Sequence, residues 1–90
     1  MQNHYDIRIQ GKVQKVGFRF HTHLEATRYN LNGYVRNDID GGVYIEIEGE
    51  DEDLKPFLEW CHSGPPHAVV EDIDLKKAPV VGYDRFSIRH

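Results

Sequence analysis

Ninety residues, 39% hydrophobic and 29% charged, predict one globular domain over residues 1–90, large enough for a core without disulfide or metal staples. The single cysteine, Cys61, excludes an internal disulfide and fits a reducing cytoplasm, and no charged-then-apolar leader or long apolar run gives reason to expect export or a membrane. The net charge of −4 is uneven, with six Lys/Arg against two acids over residues 1–36 and five against thirteen over residues 37–90, which disfavours a long polyanion such as nucleic acid but lets a small anion approach the first part.

Residues 4–10 alternate, with Tyr5, Ile7 and Ile9 against Asp6 and Arg8, and predict a half-buried strand. A basic loop with two glycines, GKVQKVG, follows. From Phe18 to about Asn30 helical spacing predicts a helix with Phe20, Leu24 and Leu31 inward and Thr27 between them, ended by Asn32-Gly33. Tyr34 to Asn37 reads as a second strand. NDIDGG is a hairpin signal in which Asp40-Gly41 tolerates positive φ. Val43, Ile45 and Ile47 alternate with Tyr44, Glu46 and Glu48, a third strand with one wet face. GEDED opens a second helix, whose stripe is Leu54, Phe57, Leu58 and Cys61; an N-cap near Asp53 would put Pro56 in the first turn. SGPP stops it. Residues 69–77 form a fourth strand and 85–89 a short fifth, with Phe86 and Ile88 inward; the two are separate strands or one strand split by the 79–84 loop.

This order is β-α-β-β-α-β. It predicts an α+β, ferredoxin-like sandwich: an antiparallel sheet with two helices on one face, the first and third strands side by side in the centre. Many unrelated functions use that fold.

Function must come from the site. A strand, a glycine-bearing turn and a helix start make an anion site, because first-turn N–H groups lack partners and carry partial positive charge. Arg19, at the loop–helix junction, adds a planar fork suited to two phosphoryl oxygens. The bland alternative is a solvated basic turn, and the loop lacks the Walker A pattern. Asn37 beside an Asp-Gly turn reads, on its own, as a turn residue. Thr22 is a helix-surface residue or a donor supporting the site. His21 and His23, two apart on a helix, face different ways, so no metal site is expected. The acidic run 50–53 suits a helix start, and Cys61 reads as a buried hydrophobe.

The run GKVQKVGFR resembles the acylphosphatase signature G-x-V-Q-G-V-x-[FM]-R, and GYVRNDIDGGVYIEIEGE is similar to that family's G-[FYW]-V-x-N-x-x-D-G-x-V. W-C-x-x-G-P-P-x-A-x-V and a terminal F-x-I also match, so the resemblance covers nearly the whole chain. It implies hydrolysis of the carboxyl–phosphate bond of a small-molecule acyl phosphate by a cytoplasmic monomer, with no metal, cofactor, nucleic acid or membrane. It further implies that Arg19 grips the phosphoryl oxygens, that backbone N–H groups of Gln14, Lys15, Val16, Gly17 and Phe18 complete a cradle, and that Asn37 orients the attacking water. One position departs: Lys15 stands where the family usually has glycine. Either it strains a loop that needs positive φ, or it adds a cation near the anion. Two other readings stand beside this one: a catalytically weak phosphate-binding domain of the same family, and an RNA-binding RRM-like module, which shares the element order.

Overall fold

The computed structural model describes residues 1–90, and its elements run β1 Gln2–Lys12, α1 Phe18–Arg28, β2 Asn32–Asn37, β3 Val43–Glu50, α2 Asp51–Cys61, β4 Val69–Ala78 and β5 Phe86–Ile88. The strands form one sheet in the order β4-β1-β3-β2-β5. β1 and β3 are therefore central neighbours, as two right-handed crossovers require. Three pairings are antiparallel, and the short β5 lies parallel to β2. This is the ferredoxin-like α+β sandwich with both helices on one face, and its last strand is two strands on opposite edges.

Alternation in β1 and β3 decides which face is dry. Ile7, Ile9, Val43, Ile45 and Ile47 are fully buried beneath the helices, with Val35 from β2 beside them. Leu54 and Phe57 of α2 close the core over β3 and β1; complete burial of each such side chain contributes about 1.5–3 kcal/mol. Gly33 lets β2 come close to β3, since a Cβ there would lie 1.9 Å from the Glu46 carbonyl oxygen.

Several expectations need correcting. The inward stripe of α1 is Phe18, Thr22 and Ala26; Phe20 and Leu24 stand 57% and 48% exposed. The phase is set at the helix start, where the Phe18 ring is wedged against Trp60, centroids 5.5 Å apart, and small residues one and two turns on let the helix lie close to the sheet. Thr22 is not on the surface: it is fully buried, and its hydroxyl donates back to the Phe18 carbonyl at 2.7 Å. Leu31 is buried, but after the helix, which ends at Arg28; Asn30, at φ 58°, turns the chain into β2. The second helix starts at Asp51, so Pro56 lies inside it. Its missing N–H leaves the Glu52 carbonyl unbonded by the helix, on an exposed residue where water serves.

The wet face of β3 is largely dry. Tyr44 is 7% exposed, with the Arg8 and Arg36 guanidiniums 4.7 and 4.5 Å from its ring centroid, and Glu48 is 2% exposed because residues 79–85 cross the helix-free face from β4 to β5 as a strap. The buried Glu48 carboxylate accepts three consecutive strap N–H groups, from Val81 (2.9 Å), Gly82 (2.8 Å) and Tyr83 (2.7 Å), and a fourth hydrogen bond from His4 Nδ1 at 2.8 Å. Glu46 accepts the hydroxyls of Tyr34, Tyr44 and Tyr83 at 2.9, 2.8 and 2.7 Å. An RRM stacks bases on exposed aromatics of this sheet face. Here the aromatics are bonded and covered, which argues against that reading.

Candidate active site

The loop leaving β1 alternates in backbone hand. Lys15 (φ 62°) and Gly17 (φ 76°) are left-handed, with Val16 between them on the ordinary side. Alternation of hand along consecutive residues curls the backbone into an anion-binding nest. Gly17 is also the N-cap of α1. No side chain caps this helix and its first turn holds no acid, whereas α2 begins with Asp51, Glu52 and Asp53. The partial positive charge at the start of α1 is left for something else to neutralise.

That helix start opens on a recess of about 220 Å³. Lys15, Gly17, Phe18 and Arg19 line it from the loop and α1; Asn37 comes from the end of β2; Val13, Phe20, Ile88 and His90 complete it. Arg19 and Asn37, eighteen residues apart in the chain, thus share one concavity. Gln14 explains much of this meeting. Its Nε2 donates to the carbonyls of Asp38 and Gly42, both at 2.8 Å, and so ties the loop to the hairpin beside Asn37. Arg19 is held from the other side: its Nη1 donates to the Arg89 carbonyl and to His90 Nδ1, each at 3.2 Å. Of the five expected cradle residues, Gln14 and Val16 are not among those lining the recess; the Gln14 side chain serves the clamp and Val16 packs on the core. His90 and Ile88 escape sequence reasoning, because only the parallel pairing of β5 with β2 brings the last residues to this place.

No Asp or Glu side chain lines the recess. The nearest acids in sequence are engaged elsewhere: Asp38 with Arg8 (2.9 Å) and Arg36, Asp40 with the Gly42 N–H (2.9 Å) and Gln10 (3.0 Å). The Gly42 N–H, with Gln10, holds the Asp40 carboxyl below its ordinary range. The ion pairs of the chain occupy Arg8, Arg28, Arg36 and Arg85, and leave Lys15 and Arg19 without an acid. One metal-like group occurs, His4, Asp6 and Glu46, with ligand atoms within 4.8 Å of one another, but it lies on the helix-free face. Both ring nitrogens of His4 contact carboxylates at 2.8 Å. Carboxylates only accept, so both nitrogens donate and neither has a lone pair for a metal. Cys61 is fully buried and burial pushes its thiol well above the ordinary value, which removes it as a nucleophile.

The acylphosphatase family model matches residues 5–88. The chain belongs to the acylphosphatase family. It is 37% identical over 89 residues to the acylphosphatase of Nocardioides sp., spanning 99% of this chain and 90% of that one. Identity to the acylphosphatase of Archaeoglobus fulgidus is 41% over 85 residues, 94% of this chain and 96% of the other. The crystal structure of acylphosphatase from Bacillus subtilis superposes with a TM-score of 0.94 at 38% identity, each chain covered completely. Lys15 departs from the glycine of the acylphosphatase signature. Its φ of 62° is the left-handed conformation in which the family's usual glycine is free of strain.

Proposed function

We propose that this acylphosphatase-family enzyme hydrolyses the carboxyl–phosphate bond of acyl phosphates in the recess shared by Arg19 and Asn37, without a metal ion. The observation that carries the reading is the common recess itself: a cation with no acid partner, an uncapped helix start and a carboxamide line one concavity of about 220 Å³, the scale of a phosphoryl group and a water. The leaving group is a carboxylate whose conjugate acid has a pKa of about 4–5, so it departs without a proton. The recess therefore needs no general acid, and its lining has no Cys, Ser, Asp or Glu to act as nucleophile.

Phosphoryl transfer then rests on position and charge. Arg19, braced by the Arg89 carbonyl and His90, grips the phosphoryl oxygens together with the N–H groups of the loop and first helical turn. These donors are fixed before the reaction, so they stabilise charge that shifts onto the oxygens in the transition state. The Asn37 side-chain carbonyl accepts a hydrogen bond from water and aims it at phosphorus. Asn is a poor base; the proton goes to a phosphoryl oxygen of the substrate. Water adds to phosphorus, the P–O bond to the acyl oxygen breaks, and carboxylate and inorganic phosphate leave.

A monomer acting on a small molecule in the cytoplasm belongs to the same proposal, supported by a site complete within one chain and by the free, buried thiol of Cys61. The test is a benzoyl phosphate assay on EDTA-treated protein. Sustained hydrolysis is expected; a folded protein that binds inorganic phosphate but leaves benzoyl phosphate intact would be a binding domain instead.

A further inference from the structure

We propose that the Lys15 ammonium is a second phosphoryl-binding cation of the recess, retained against backbone strain because of its charge. The inference rests on the reading of the recess as a phosphate site and adds to it a side chain for which the family signature has no counterpart.

Four observations meet at this residue. Lys15 lines the recess. Its backbone sits at φ 62°, where a Cβ crowds the following carbonyl and glycine does not. The other non-glycine residue with positive φ, Asn30, has a short polar side chain of the kind that tolerates this region; lysine does not. Finally, Lys15, like the other four lysines of the chain, makes no ion pair, so its ammonium is free to take an anion. A lysine that served solubility alone could stand at any unstrained surface position. Here lysine stands at a strained one, at the edge of a recess that also holds Arg19 and no Asp or Glu side chain.

The two cations differ in kind. Arg19 is fixed by two hydrogen bonds and presents a planar fork. Lys15 is exposed, on a flexible stem, and acts as a point charge through a partly screened path. Its effect is therefore on affinity for the dianionic group, in ground state and transition state alike, so it appears in KM and in phosphate inhibition more than in kcat.

Three variants separate charge from backbone. Lys15→Ala removes the ammonium and keeps a Cβ at positive φ; Lys15→Gly removes both; Lys15→Arg keeps the charge. Binding of inorganic phosphate is measured by calorimetry at low and high salt, beside Tm and benzoyl phosphate kinetics. Lys15→Ala and Lys15→Gly are expected to weaken phosphate about threefold to tenfold at low salt, less at high salt, with Lys15→Arg close to wild type. Tm should rise by about 3–6 °C in Lys15→Gly alone. Phosphate binding by Lys15→Ala equal to wild type at low salt would overturn the proposal. Wild type that binds phosphate in a Lys15-dependent way but hydrolyses no benzoyl phosphate would overturn the enzymatic reading and leave this one standing.

Discussion

The recess at the start of α1 and the polar cluster under the strap handle charge in opposite ways. Under the strap every group has a partner. Glu48, 2% exposed, accepts four hydrogen bonds, and His4, 1% exposed, donates to a carboxylate from each ring nitrogen. In the recess Arg19 and Lys15 have no acid, and α1 has no cap. A buried charge without partners would unfold a domain of this size, so the cluster must be internally complete. A charge at a solvent-open recess is under no such constraint and can stay available to a ligand. Titratable density alone does not mark a site; unsatisfied valence does. The cluster looks like a metal or catalytic centre in a count of residue types, and its hydrogen bonds identify it as the fastening of the strap.

The comparison can be broken from either side. The largest effect is expected from Arg19→Ala, which should lower kcat/KM for benzoyl phosphate by roughly a thousandfold and abolish phosphate binding, with the denaturation midpoint little changed. Asn37→Ala should lower kcat by roughly a hundredfold while phosphate still binds in calorimetry; near-normal turnover would remove the water-positioning role. On the other side, Glu48→Ala leaves the buried His4 Nδ1 and three strap N–H groups without their carboxylate acceptor. A loss of about 3 kcal/mol in guanidinium unfolding is expected.

The smallest effect is on the pH dependence of stability. Burial alone would raise the Glu48 carboxyl, but His4 and the strap N–H groups hold it below its ordinary 4.5. Its contribution is present above that value and is lost as pH falls through the depressed folded value. Burial alone would lower His4, but Glu48 and Asp6 raise it above its ordinary 6.5. Its contribution is complete below 6.5 and is lost as pH rises through the raised folded value. Stability from this cluster should therefore be greatest between 4.5 and 6.5 and decline on both limbs. His4→Gln should flatten the alkaline limb in thermal melts. A limb as steep as wild type would mean that His4 is not the group titrating there.

By itself the sequence determined the element order, the dry face of the sheet and the family motifs from which the site is proposed. These follow from local periods: branched residues alternate in β1 and β3, Leu54, Phe57 and Cys61 recur at helical spacing, and GKVQKVGFR and GYVRN are contiguous runs in which a motif can be read. Only the tertiary structure decided which side of α1 faces inward, because Phe20 and Leu24 satisfy the same period as Phe18, Thr22 and Ala26, and the contest is settled by the wedge of Phe18 against Trp60. It also decided that Glu48 is buried, for a strap joining opposite edges of a sheet leaves no periodic trace. The bracing of Arg19 by Arg89 and His90 is of the same kind. Local patterns record how a segment meets an apolar surface; they carry no record of which distant segment supplies the partner for a charge.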